Sequence, residues 1–261
     1  SQSREGDKYG NPHQKGSGAV YDTGFIGARS ARVMQKAKNL EHRMDKAVTD
    51  KESLLKNVEF IDSLTMNYQL DHHETLLWVR NVQLSYGDHP LLSKPVSFEL
   101  NRGDRLALIG PNGSGKSSLI AAILGQFKGD ITGEIQLTET AARSLVRQHY
   151  PDNLGNLNTF AKKRQLSYQD LLNNLKKLGM PRTAFKTPIQ QLSAGQQKKV
   201  ELAASLATPT SLYLWDEPLN YLDIFNQEQL TKLIQSVQPT MLVTEHDRDF
   251  IEAISTKVVT L

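Results

Sequence analysis

Eight residues, GPNGSGKS from Gly110 to Ser117, have the composition and spacing of a turn that wraps a phosphate. The pattern G-x4-G-K-[ST] follows an apolar strand-like run, GDRLALIG, and precedes a helical stretch from about Lys116 to Leu124, which is the order its chemistry requires. Glycines let successive backbone N–H groups converge on phosphate oxygens, and the helix N-terminus adds a favourable dipole. Lys116 is then placed to reach the β- and γ-phosphates, and Ser117 to offer its hydroxyl to Mg2+. The candidate nucleotide contacts in this segment are Gly110, Asn112, Gly113, Ser114, Gly115, Lys116, Ser117 and Ser118.

A second group of chemically able residues closes LYLWDEP, from Leu212 to Pro218. Four apolar or aromatic residues form a buried strand and deliver two carboxylates at its end. Asp216 is suited to hold Mg2+ through water, and Glu217 to orient or deprotonate an attacking water. Acidic residues also end ordinary turns, so the pair gains its meaning from the phosphate loop upstream. Between the two lies LSAGQQKKV, starting at Leu192, where Ser193 caps a helix N-terminus and Gly195 leaves amides bare for an anion.

These residues need a scaffold that brings strand ends together. From Leu76 the chain alternates strand-like and helix-like runs. LLWVRNVQLSYG, PVSFEL, GEIQL, SLVRQHY, TSLYLWDEP, TMLVTEHD and KVVTL read as strands. SYQDLLNNLKKLGM, residues 195–207, NQEQLTKLIQSV and DRDFIEAIS read as helices. This alternation predicts an α/β fold with a mainly parallel sheet and right-handed crossovers. Upstream, residues 1–24 are glycine-rich and polar and predict a flexible loop. From Phe25 to about Val58, the residues Ile26, Val33, Ala37, Leu40, Met44, Ala47, Leu54 and Val58 trace a heptad seam, interrupted by Ser30 and Lys51. Such a helix either lies on its own domain or pairs with a helix outside the chain.

At 261 residues the length suits one large domain with an appendage. Hydrophobic residues at 38% and a mean hydropathy of -0.45 exclude a wholly disordered chain and an integral membrane protein. The absence of cysteine excludes disulfides, thiolate metal sites and cysteine nucleophiles, and with no leader-like stretch a cytoplasmic protein is expected. The net charge of +3 is unevenly spread. Basic residues outnumber acidic ones in residues 1–56 and balance them thereafter, so the N-terminal part is the one able to approach a polyanion.

The order of motifs, phosphate loop, Gln148, LSAGQ, WDEPLNYLD and TEHD, resembles the ATP-binding cassette (ABC) nucleotide-binding domain over about residues 76–261. The resemblance implies a parallel sheet joined by antiparallel β and helical subdomains, with ATP and Mg2+ as ligands. It implies that Tyr86 stacks on adenine, although a lone tyrosine can equally be core, and that Gln148 touches Mg2+ and senses the γ-phosphate. Ser193 and Gly195 match residues that close over the γ-phosphate of a second, opposite cassette, and Asp223 matches a loop that crosses between the two. His246 matches the switch histidine. The metal set is thus Ser117, Gln148 and Asp216, and the catalytic set Glu217, His246 and Gln148. Departures are small: Ala194 stands for a usual glycine, Trp215 for a leucine and Tyr221 for a frequent histidine.

EPLNYLD is similar to the EPxNxLD version of the ABC-F group, soluble proteins with two cassettes joined by a helical linker. More narrowly, GAVYDTGFIGARSARVMQKAKNLEHRM with WDEPLNYLD resembles the ABC-F antibiotic-resistance proteins that protect ribosomes against lincosamides, pleuromutilins and streptogramin A. On this resemblance residues 1–24 are a linker-tip loop, 25–75 the second half of the linker arm, and 76–261 the second ATPase domain of a longer protein. The resemblance implies a second cassette as partner, from the first half of that protein or a second copy of the chain. It also implies ribosome, rRNA and tRNA contacts through Arg29, Arg32, Lys36, Lys38 and Arg43, with Tyr21 and Phe25 as tip residues and no membrane. The competing expectations are the ATPase subunit of a membrane transporter and a nucleotide-gated module that barely hydrolyses.

Overall fold

The computed structural model describes residues 63–261 and, upstream of them, Lys38 alone, which is helical and exposed. The predicted tip loop, the heptad seam, Tyr21, Phe25 and the other basic residues of the arm lie outside the described residues.

Two sheets form the framework. The antiparallel one is built on β1 (Thr75–Tyr86), which pairs with β2 (His89–Pro90), β3 (Val96–Asn101) and β5 (Asp130–Leu137). The other contains β4 (Arg105–Ile109), β6 (Arg143–Val146), β7 (Leu212–Asp216), β8 (Met241–Thr244) and β9 (Lys257–Thr260). Its order is β6-β7-β8-β4-β9 and every pair is parallel. Among the described residues from 63 onward six α-helices accompany the sheets: α1 (Lys116–Ile123), α2 (Leu157–Lys163), α3 (Tyr168–Lys177), α4 (Ala194–Ala207), α5 (Ile224–Val237) and α6 (Arg248–Ile254).

Strand side chains point alternately to the two faces, and here both faces are apolar because both are covered. Leu212 and Leu214 of β7, Leu242 of β8 and Leu106 and Leu108 of β4 enter one core, shared with α1, β1 and β3. Tyr213 and Trp215, Met241 and Val243, and Ala107 enter the other, shared with α2 to α6. This explains why LYLW reads as an unbroken apolar run. Trp215 satisfies its buried indole N–H by donating to Ser205 Oγ of α4 at 2.8 Å, and Ser205 in turn bonds Ser144 Oγ of β6 at 2.6 Å.

The predicted strand SLVRQHY ends early. Only Ser144–Val146 pair with β7, and the chain leaves the sheet at Arg147 because that residue is bound by α4 rather than by a strand neighbour. The helical stretch after it contains α2 as well as α3, each begun by a capping side chain, Asn156 and Ser167.

Residues entering β1 are fastened to the base of the parallel sheet. Leu64 is buried in the helical-side core, Asn67 N–H donates to Leu206 O, and the Tyr68 and Thr240 hydroxyls lie 2.9 Å apart. Asp71 accepts the backbone N–H and Nδ1 of His73, both at 2.8 Å, and the Ser211 hydroxyl at 3.2 Å. The His73 backbone N–H is the main reason its carboxyl lies below the ordinary 3.8. Burial opposes this, and side-chain bonds from His73 and Ser211 reinforce it. A carboxyl so depressed stabilises the fold above its unfolded pKa, and that contribution is lost as the pH falls through the folded value. In urea melts followed by circular dichroism, the stability gap between wild type and Asp71→Asn should therefore narrow below about pH 4. A gap that stays constant down to about pH 3 would show that the charge contributes nothing.

Candidate active site

The phosphate loop forms where β4 ends and α1 begins, at the C-terminal edge of the parallel sheet, which is where such folds bind ligands. The N-cap of α1 is Gly115 at φ 91, a left-handed conformation, and an added Cβ would stand 2.7 Å from Leu92 Cδ2. At Gly110 a Cβ would meet Ser114 Oγ at 2.7 Å. With no capping side chain and no acidic residue in its first turn, α1 offers free N–H groups to an anion. Lys116 is buried, and its ammonium is steered over the loop by the carbonyls of Gly110 at 2.8 Å and Pro111 at 3.0 Å. Among the described residues the buried Ser114 hydroxyl has no hydrogen-bond partner.

Three separate segments meet beside the loop. Gln148 Nε2 donates to Ser117 Oγ of α1 and to Asp216 Oδ1 of β7, both at 3.2 Å. Asp216 Oδ1 also accepts the Thr244 hydroxyl of β8 at 2.5 Å. Hydroxyl, carboxylate and amide oxygens are hard donors of the kind Mg2+ selects, and it keeps several waters around so few protein ligands. The predicted metal set, Ser117, Gln148 and Asp216, therefore fits the ion in its donor chemistry, although the Gln148 amide now turns its nitrogen to Ser117 and Asp216 and would have to flip to offer its oxygen.

Glu217 has φ 49, unusual for a side-chain-bearing residue. Its N–H bonds Thr244 O at 3.0 Å and lies 3.2 Å from Thr244 Oγ1, so β8 fixes the backbone in that state. The carboxylate is held by Asn220 Nδ2 at 2.5 Å on Oε2, and His246 Nε2 stands 3.5 Å from Oε1. Behind these lies Glu245, buried, accepting the N–H of His246 at 2.8 Å and of Leu219 at 3.2 Å. Burial pushes the Glu245 carboxyl up, and those N–H donors restrain the rise.

Ser193 and Gly195 are not part of this cluster. Ser193 caps α4 in a capping box with Gln196, accepting its N–H at 3.3 Å while its own N–H reaches Gln196 Oε1 at 3.2 Å. Asp223 caps α5 by accepting the Asn226 N–H at 2.8 Å. Asn112, Gly113 and Ser118 sit in or directly after the loop. Tyr86 ends β1 and is 52% exposed, with Phe127 5.1 Å away between ring centroids. Tyr86 thus has a free face and a braced one. Removing a stacking ring costs about 1–3 kcal/mol per base, so if Tyr86 stacks on adenine as the resemblance implies, Tyr86→Ala should raise the Kd for ATP by about 5- to 150-fold while kcat at saturation holds. Nucleotide fluorescence titration measures this, and an unchanged Kd would return Tyr86 to a purely structural role.

Sequence reasoning passed over Thr244, Asn220 and Phe127. Thr244 and Asn220 stand inside motifs already singled out, TEHD and EPLNYLD, whereas Phe127 lies between two glycines with no pattern to mark it.

The ABC transporter family model matches residues 93–220. The chain is 31% identical over 200 residues to the molybdate import ATP-binding protein MolC of Haemophilus influenzae, covering 71% of this chain and 78% of that one. The chain belongs to the ABC transporter family. Within this ABC family it is also 29% identical over 234 residues to the ribosome protection protein VmlR of Bacillus subtilis, covering 85% of this chain and 40% of that protein. An F-group ABC protein is also among the relatives. Among solved structures, an inward-facing putative metal-chelate type ABC transporter matches with a TM-score of 0.57 and 27% identity, over 72% of this chain and 80% of that one. Domains of the ABC family are ATPases that use ATP with Mg2+ and work in pairs. The chain spans less than half the length of the ribosome protection protein it resembles.

Proposed function

We propose that this ABC cassette binds and hydrolyses MgATP as one half of a two-cassette, ABC-F-type protein that acts on the ribosome and confers antibiotic resistance by protecting it. The observation that carries the ATPase reading is the junction of Ser117, Gln148 and Asp216 beside an uncapped helix N-terminus. The ribosomal reading is supported by similarity to a ribosome protection protein over 85% of the chain, more than residues 76–261 alone make up. Relatives from importers share the same ATPase machinery, and machinery alone does not choose a partner.

The mechanism follows from the positions of the side chains. The loop amides, the α1 N-terminus and Lys116 bind the triphosphate, and Tyr86 takes the adenine. Ser117, Gln148 and Asp216 would hold Mg2+, which would supply charge neutralisation for the phosphate oxygens. Glu217, aimed by Asn220 and its β8-fixed backbone, orients water and accepts its proton as the water oxygen bonds to the γ-phosphorus and the bond to ADP breaks. His246, 3.5 Å from Glu217 Oε1, is the side chain that would meet the γ-phosphate. Ser193 and Gly195 serve the nucleotide of the partner cassette, so two cassettes close around ATP and part after hydrolysis. The arm supplies the rRNA and tRNA contacts. Co-sedimentation of the complete protein with ribosomes, with and without ATP, tests the reading: ATP-dependent pelleting supports it, and pelleting with membranes instead would replace it with the transporter reading.

A further inference from the structure

The residue just before Gln148 sits in a cluster of charges, two of them buried, that the mechanism has not used. Arg147 is held at every polar group it has. Its main-chain N–H and Nε donate to Glu201 Oε1 at 3.2 and 2.8 Å, and Nη2 donates to Glu201 Oε2 at 3.1 Å. Nη1 reaches Asp152 at 2.7 Å, and Nη2 also lies 3.2 Å from Asn153 Oδ1. Its carbonyl faces the ammonium of Lys198 at 3.5 Å. Asn153 Nδ2 closes the ring by donating to Glu201 Oε2 at 2.7 Å, and Arg164 joins Asp152 to Asn153 from α2.

Lys198 and Glu201 are only 2% and 1% exposed and lie one turn apart on α4. Burying these two charges is costly, and apolar groups of the same volume often stabilise a fold at least as well. What a fully bonded ionic cluster supplies instead is a single geometry. Here that geometry belongs to the Arg147 backbone, pinned by α4 on its N–H and its carbonyl. Gln148, one peptide further on, is the residue that reaches Ser117 and Asp216.

We propose that Arg147, Glu201 and Lys198 are positioning residues that set Gln148 against Ser117 and Asp216 and tie that setting to α4, whose N-terminus carries Ser193. The cluster makes the metal-side glutamine and the partner-facing serine parts of one rigid lever. Movement of α4 on cassette closure would carry Gln148 with it. This inference rests on the ATPase reading above.

The test uses the complete protein and measures Mg2+ dependence in two ways, by phosphate release and by fluorescence of bound trinitrophenyl-ATP. Loss of a group that orients a metal ligand typically costs about 10- to 100-fold in metal affinity. Glu201→Gln and Arg147→Lys should each raise the half-saturating Mg2+ by about tenfold or more, while trinitrophenyl-ATP binding in EDTA stays within about twofold of wild type. In a Gln148→Ala background, Glu201→Gln should add less than about a twofold shift, because its effect passes through Gln148. A shift under about twofold in both single variants would overturn the proposal, as would a full additional shift in the Gln148→Ala background. Leu171→Ala, a cavity in the same core on α3, controls for lost stability, and an equal Mg2+ shift there would likewise overturn it. If Glu201→Gln does not fold, Arg147→Lys decides, since it keeps the positive charge but loses the two-pronged guanidinium hold on Glu201 that fixes the backbone at this point. Failure of the wild type to bind nucleotide with Mg2+ would instead remove the ATPase reading itself.

Discussion

Glu217→Gln should reduce ATP turnover by about 100-fold or more while leaving nucleotide affinity within a few-fold of wild type, since general-base groups contribute about 10²–10⁴ to rate. Glutamine keeps the size of the side chain and an oxygen for Asn220 Nδ2, so the backbone at φ 49 and its bonds to Thr244 are undisturbed. What is lost is a carboxylate able to take the water's proton. On the proposed two-cassette cycle the consequence is accumulation of the ATP-bound closed state. The variant should then pellet with ribosomes in ATP to a greater extent than wild type, and phosphate release over the same samples should be nearly flat. Normal turnover by Glu217→Gln would assign the proton transfer to another group.

Lys116→Ala should abolish measurable nucleotide binding under conditions that saturate the wild type. The ammonium is already desolvated and directed by two carbonyls, so little side-chain entropy is spent when it meets phosphate. A charge-assisted bond contributes about 1.5–3 kcal/mol, and reaching two phosphates doubles the opportunity, which puts the loss at about 100-fold or more in Kd. The alanine also leaves the Gly110 and Pro111 carbonyls without their donor, so the loop itself will relax. Isothermal titration with ATP and Mg2+ measures the loss. A Kd within about threefold of wild type would mean that the loop amides and helix dipole hold the triphosphate on their own.

How much of this was legible in the sequence follows from how local each signal is. The phosphate loop is encoded in consecutive residues, so its glycines, Lys116 and Ser117 could be placed by spacing alone. The same holds for Ser193, a cap read from its place before a helix, whereas Asp223 and Asp247 prove to be caps only in the structure, each accepting an N–H three residues on. The apolar run LYLW announced a strand buried on both faces. Legibility failed where the determinant is a contact across the chain. SLVRQHY has the composition of a strand, yet it leaves the sheet because Glu201, more than fifty residues later, takes the Arg147 N–H that a strand neighbour would have taken. The left-handed backbone of Glu217 is likewise invisible locally, because it is Thr244 on β8 that stabilises it. Tyr86 was nameable only by resemblance, and its brace, Phe127, comes from another segment altogether.

The bare N-terminus of α1 and the Ser114 hydroxyl, unpaired among the described residues, have a consequence for the thermodynamics of this domain. A fold that leaves donors unmet at one edge has placed part of its cohesion in whatever molecule meets them. Its melting temperature is then a function of ligand concentration rather than a constant of the polypeptide. At a hundredfold excess over Kd, nucleotide would add about 2.7 kcal/mol, or roughly 5–10 °C for a domain of this size. Variation in cellular adenylate levels would thereby be felt as variation in how long each copy of the protein survives.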